Sequence, residues 1–135
     1  MVSCPCPNRW NCTTLAVIAS VAVGVIAAFL QFSAVITVTP AFLWVTLGVA
    51  IGYLGITLLG TAIAHRAAAP CCCAALTAQL VGILGTALFS VILLAVTFAA
   101  TSVIGAIFVG ILLFFAALTV TATACLVKCL AGCGD

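Results

Sequence analysis

Residues 103–127 read VIGAIFVGILLFFAALTVTATACLV, a run without a single charged side chain. A helix rises about 1.5 Å per residue, so this run is long enough to cross the roughly 30 Å hydrocarbon core of a bilayer. Its apolar character is continuous rather than alternating, which favours a helix over a strand of a membrane barrel. The stretch therefore predicts one transmembrane helix.

Three similar runs precede it and predict an all-α protein. We expect an integral membrane four-helix bundle of two helical hairpins, with both termini on the same side. The predicted organisation is a Cys-rich N-terminal tail at 1–14, a transmembrane domain at 15–127 with helices at 15–38, 41–64, 74–98 and 103–127 and a Cys-rich polar loop at 65–73, and a Cys-rich C-terminal tail at 128–135. Whether the third and fourth helices are separate stays open, because Ala99 to Ser102 offers capping residues without Gly or Pro.

The composition excludes several classes of protein. Hydrophobic residues make up 68% of the chain and charged residues 3%, against roughly 25% charged in an ordinary soluble domain. Neither a soluble monomer nor a disordered chain has this balance. No charge lies inside the four runs before Lys128, which disfavours a charge-coupled transporter. The lipid bilayer is the expected partner, and nucleic acid is not.

The connection between the first two helices carries a local capping signal. Thr39 is suited to cap the second helix and Pro40 to its first position, where a missing N–H is tolerated. Helices one and two are therefore predicted to form a tight hairpin.

Arg9, Arg66 and Lys128 fall on the side of the termini, and the positive-inside rule predicts that this side is cytoplasmic.

The nine cysteines lie in three short windows on that same predicted side. They are Cys4, Cys6, Cys12, Cys71, Cys72, Cys73, Cys125, Cys129 and Cys133. Cysteine is also tolerated in membrane helices as a small hydrophobe, but that use predicts scatter rather than clustering. We therefore predict a thiol-rich face, with all nine residues as candidates for cross-links or metal ligands.

Two chemistries remain open for this face. Thiolates suit zinc or copper(I), and the metal candidates are Cys71, Cys72, Cys73, Cys125 and Cys129, although C-x₂-C pairs typical of zinc sites are absent. Disulfide cross-linking, within the chain or between neighbours, is the other chemistry. A reducing cytoplasm opposes stable disulfides, so cross-linking requires later oxidant or a reversed orientation.

Small residues recur every four positions in the helices and predict close helix packing. The helix-packing candidates are Gly24, Gly48, Gly52, Ala78, Gly82, Ala106 and Gly110. Such faces also favour a homo-oligomer. Gln31 and Gln79 are expected to join neighbouring helices by hydrogen bonds, for example to Thr46 and Thr61.

Three stretches carry a resemblance to a group of proteins. Residues 38–44 (VTPAFLW), residues 123–129 (TACLVKC) and the Cys71-Cys72-Cys73 run resemble small uncharacterised Cys-rich membrane proteins of spore-forming Gram-positive bacteria. The resemblance implies a spore layer, in which Cys-rich proteins are commonly structural and cross-linked. It transfers no catalytic residue.

Together these patterns predict a non-enzymatic, self-associating structural protein of a membrane or surface layer. Its thiol-rich face would serve disulfide cross-linking or metal clipping. The alternative is a soft-metal-binding or thiol-redox membrane protein. No residue is predicted to be catalytic, and the cofactors that the cysteines suggest are zinc and copper(I).

Overall fold

The computed structural model describes residues 9–63, 73–96 and 102–132, and side chains at 12–60, 75–96 and 102–129. The described chain forms four α-helices: α1 (Arg9–Phe32), α2 (Pro40–Ile63), α3 (Cys73–Ala95) and α4 (Val103–Gly132). All four are long and apolar enough to cross a membrane. The predicted all-α membrane four-helix bundle is confirmed.

Many large apolar side chains of the bundle are exposed, and its interior combines small residues with a few large ones such as Ile83 and Leu112. Leu15, Phe29, Ile56 and Leu59 are among the exposed residues, whereas Ala16, Ala27, Ser20 and Ala106 are buried. A water-soluble bundle would instead bury its large apolar side chains and expose polar ones. In lipid the outward Leu, Ile and Phe lose nothing by exposure, and the inward small residues let helix backbones approach closely.

The helix starts follow the predicted capping signals. Thr39 Oγ1 accepts a hydrogen bond from the backbone N–H of Phe42 at 3.3 Å, and Pro40 is the first residue of α2. Ser102 Oγ accepts from the N–H of Gly105 at 3.4 Å. These caps satisfy N–H groups that have no partner inside the helix, and the second cap shows that α3 and α4 are separate helices.

The end of α1 differs from the prediction, because the helix stops at Phe32 rather than at Val38. Ala34 adopts a left-handed conformation with φ 55°. The Val35 N–H donates to the Leu30 carbonyl and the Ala34 N–H to the Gln31 carbonyl, both at 3.1 Å. This pair of bonds is a Schellman motif, and it turns the chain out of the helix six residues early.

The outer ends of α1 and α4 also differ from the prediction. The helix α1 already begins at Arg9, inside the predicted N-terminal tail, and α4 continues to Gly132, inside the predicted C-terminal tail. No proline interrupts either extension, so hydrogen bonding continues past the apolar run. The predicted loop at 65–73 lies outside the described residues except for Cys73, which starts α3.

Helix α4 is the centre of the bundle. It packs against α1 on one side and α3 on the other, while α2 packs against α3 and α1 touches α3 only slightly. The described residues of α1 and α2 make no close contact, so the tight packing predicted for this first hairpin is absent. The early turn at Ala34 leaves a seven-residue connection, 33–39. This connection is long enough for α2 to pack against α3 rather than against α1.

Candidate functional site

A disulfide bond joins the first and last helices of the bundle. Cys12 of α1 and Cys125 of α4 are bonded through their Sγ atoms, with their Cα atoms 6.1 Å apart. Both residues are partly buried, and 113 positions separate them along the chain. Cys129, one helical turn beyond Cys125, is disulfide-bonded as well. We call the end of the bundle that contains Cys12, Cys125 and Cys129 the cystine end.

The α1–α4 interface brings the two sulfur atoms together. Above the disulfide, Ser20 is fully buried, and its hydroxyl donates to the Ala16 carbonyl at 2.7 Å. Its oxygen also approaches Thr121 Oγ1 to 3.4 Å. A hydroxyl that bonds its own backbone needs no water inside the membrane, so these polar groups are satisfied inside the interface.

Further along the same interface, the two helices cross at a pair of glycines. A Cβ atom placed on Gly24 would lie 2.9 Å from the carbonyl oxygen of Gly110 and 2.9 Å from Phe114 Cβ. A Cβ on Gly110 would lie 2.7 Å from Ala28 Cβ and 2.9 Å from the Gly24 carbonyl oxygen. No side chain fits between these backbones, so the glycines permit the approach that aligns Cys12 with Cys125.

The α3–α4 interface uses glycine against aromatic rings. A Cβ on Gly82 would meet Thr119, and one on Gly85 would overlap the ring of Phe115. Phe89 in turn lies 5.7 Å from Phe115, centroid to centroid. Gly85 was not among the predicted packing residues, because it falls outside the four-residue spacing of that ridge.

The remaining packing candidates divide into two groups. Ala106 is buried and Ala78 is half-buried. A Cβ atom placed on Gly48 or Gly52 of α2 would have no atom within 4 Å, so these glycines take no part in packing within the described chain. The packing role predicted for Gly48 and Gly52 therefore requires lipid or another molecule.

The two glutamines have different surroundings. Gln79 Nε2 donates to Thr57 Oγ1 at 3.0 Å, which joins α3 to α2. The observed partner, Thr57, precedes the predicted Thr61 by one helical turn. Helix α2 is therefore shifted by one turn along α3 relative to the prediction. Gln31 is also buried, but its Oε1 has no partner among the described residues. The suggested bond to Thr46 is absent because α1 does not contact α2, and Thr46 instead donates to the Phe42 carbonyl.

The predicted cysteine sites are only partly covered by the structure. Cys4, Cys6, Cys71, Cys72 and Cys133 lie outside the described residues, and the side chain of Cys73 does too. Cys12, Cys125 and Cys129 lie at one end of the bundle, in line with a cysteine-rich face. The pairing of Cys12 with Cys125 was not predicted, because spacing along a chain does not specify which distant windows meet.

Metal binding was predicted for five cysteines, and the two whose side chains the structure describes, Cys125 and Cys129, are disulfide-bonded. A cystine sulfur is not a thiolate, and thiolate is the form that binds zinc or copper(I). Cys125 and Cys129 therefore act as ligands only after reduction. Across 9–63, 73–96 and 102–132, no three His, Cys, Asp or Glu residues are grouped as a metal site would require.

Comparison with known proteins gives no relative from which a role can be transferred. No protein-family model, no curated protein and no solved structure matches this chain.

Proposed function

We propose that this protein is a non-enzymatic structural component of a membrane, which self-associates and is reinforced by disulfide bonds at its cystine end. The observation that carries the proposal is the Cys12–Cys125 bond between the first and last helices. A covalent bond placed there closes the chain into a ring around the bundle. Such a closure supports mechanical and thermal durability rather than chemical turnover.

The cystine end also supports two different roles for the cysteines, bonding within the chain and cross-linking between molecules. Cys12 is one of the nine cross-link candidates, and its sulfur is bonded within the chain. The proposal therefore assigns cross-links between molecules to cysteines other than Cys12, Cys125 and Cys129. In the sequence, Cys4, Cys6 and Cys133 lie closest to the two termini, and we propose them as the cross-linking residues.

Helix α2 supports self-association. Among the described residues it packs against α3 alone, and its glycines Gly48, Gly52 and Gly55, which share one helical face, have open space beside them. Within lipid, helices associate through close packing of such small residues rather than through a hydrophobic force. We propose that this face of α2 meets a second copy of the chain. A spore layer, implied by the resemblance, is the proposed setting.

Replacing Gly52 by Leu tests the self-association. Because a Cβ on Gly52 would have no described atom within 4 Å, the substitution should leave the monomer fold intact and, in the presence of reductant, reduce the oligomer to monomers. Native mass spectrometry from detergent, with and without reductant, measures the change. Ala22→Leu is the matched control. Ala22 is exposed on α1, so the substitution places a leucine side chain on another lipid-facing surface.

Each arm of this experiment has a result that contradicts the proposal. Wild-type protein that is monomeric in both conditions would disprove self-association and cross-linking together. An oligomer that survives Gly52→Leu in the presence of reductant would disprove the α2 interface. Loss of reductant-sensitive species after Cys4, Cys6 and Cys133 are replaced by Ser is the expected result for cross-linking. Bound zinc or copper in stoichiometric amount in the reduced protein would instead favour the soft-metal alternative.

A further inference from the structure

The described disulfide-bonded cysteines all lie at the cystine end, where α1 begins and α4 ends. Successive membrane helices run in opposite directions, so Cys73, the first residue of α3, belongs to the same end. The connection at the opposite end, 33–39, contains no cysteine and no charged residue. The two ends of the described bundle therefore differ sharply in redox chemistry.

Forming the Cys12–Cys125 bond requires an oxidant. Two thiols lose two protons and two electrons, and a bond forms between their sulfur atoms. A disulfide donor accepts both, its own S–S bond breaks, and it leaves as a dithiol. Compartments that supply such donors are extracytoplasmic, whereas glutathione and thioredoxin keep cytoplasmic thiols reduced. The bond is partly exposed at the edge of the apolar core, so it is within reach of either pool.

The charges of the chain give the opposite indication. Arg9, Arg66 and Lys128 are predicted to lie on the side of the cystine end, and the positive-inside rule assigns that side to the cytoplasm. That rule expresses a bias in how helices insert, and it acts once during insertion. The redox pool, by contrast, acts on the disulfide throughout the life of the protein, so the bond is the more stringent indicator of compartment.

We infer that the cystine end faces an oxidising, extracytoplasmic compartment, where a thiol oxidoreductase acts as its partner and disulfide donor. The connection at 33–39 then faces the cytoplasm. This inference shares the Cys12–Cys125 bond with the proposed function, but it does not depend on self-association. A missing bond would count against both, whereas a cytoplasmic cystine end would overturn this inference alone.

A thiol-trapping experiment in intact bacterial cells tests the redox state. Cells expressing the full chain are treated with permeant N-ethylmaleimide, and the protein is then denatured, reduced and labelled with maleimide-polyethylene glycol. Only sulfurs that were disulfide-bonded in the cell gain mass. Wild-type protein should carry two more labels than Cys12→Ser/Cys125→Ser. Equal labelling of the two proteins would overturn the inference.

A reporter placed after Asp135 tests the orientation. Alkaline phosphatase, which is active only after export, should be active there, and green fluorescent protein in the same position should be dark. Inserting the reporters between Ile36 and Thr37 should reverse both results and serves as the matched control. A fluorescent C-terminal fusion with inactive phosphatase would overturn the inference, even if the trapping experiment detected the disulfide.

Discussion

Replacing Gly24 by Ala tests how tightly α1 and α4 are held by direct backbone contact. The new Cβ would lie 2.9 Å from both the Gly110 carbonyl oxygen and Phe114 Cβ. Ordinary contacts of this kind begin at about 3.4 Å, so the helices must separate by roughly half an ångström. Overpacking of this size costs about 1–3 kcal/mol. The better helix propensity of Ala offsets little of it, because membrane helices stay helical when they dissociate.

Gly48→Ala is the matched control for this substitution. The two changes add the same methyl group to a membrane helix, but a Cβ on Gly48 meets nothing within 4 Å. Its effect on stability should therefore stay within about 0.5 kcal/mol. Gly110→Ala is expected to behave like Gly24→Ala, because a Cβ there would lie 2.7 Å from Ala28 Cβ.

The free energies of unfolding can be measured by SDS titration in mixed micelles, followed through the two tryptophans of the chain. The measurement belongs in a Cys12→Ser/Cys125→Ser background, because the disulfide would otherwise hold α1 and α4 together after their packing is lost. Equal free energies for Gly24→Ala and Gly48→Ala would show that the glycine crossing contributes nothing to stability, and the reasoning would fail.

Three further predictions can be tested by the same titration. Ala34→Gly should stabilise the protein by about 0.5–1 kcal/mol, because glycine adopts the left-handed conformation at the end of α1 without strain; a loss of stability would contradict the Schellman turn. Thr57→Val should cost about 1–2 kcal/mol by leaving the buried Gln79 amide without its acceptor. Adding Gln79→Leu should recover part of that loss, and a purely additive loss would contradict the pairing. Cys12→Ser/Cys125→Ser should cost about 1 kcal/mol, since closing a ring of about four rigid helices costs little entropy. A loss near the roughly 5 kcal/mol expected for a flexible loop of this length would show that the unfolded helices do not persist.

The four spans were predictable because hydropathy and length are properties of each segment alone. The caps at Thr39 and Ser102 were predictable for the same reason, since a hydroxyl before a helix acts on its own first turn. The end of α1 was not. A left-handed residue at a helix end is usually Gly, and here it is Ala34, so the sequence carries no visible signal for the turn.

The arrangement of the helices was beyond the sequence for a different reason. Small residues at four-residue spacing occur in every helix, so the pattern cannot say which ridges meet. Gly24 and Gly110 face each other across α1 and α4, whereas Gly48 and Gly52 face no residue of the described chain. The partner of a glycine depends on tertiary structure. The cysteine windows likewise indicated a common end, but not the pairing of Cys12 with Cys125.

The attachment of α2 is the weakest part of the fold, and this follows from where its contacts lie. Helices α1, α3 and α4 share a common core of glycine contacts and phenylalanine rings, and the disulfide adds a covalent link between α1 and α4. Within the described ranges, helix α2 contacts α3 and no other helix, and the Gln79–Thr57 hydrogen bond joins the two. In lipid, apolar area alone does not hold a helix in place, so that bond and close packing must do so. The same exposure that weakens its attachment leaves the glycines of α2 accessible to a second molecule.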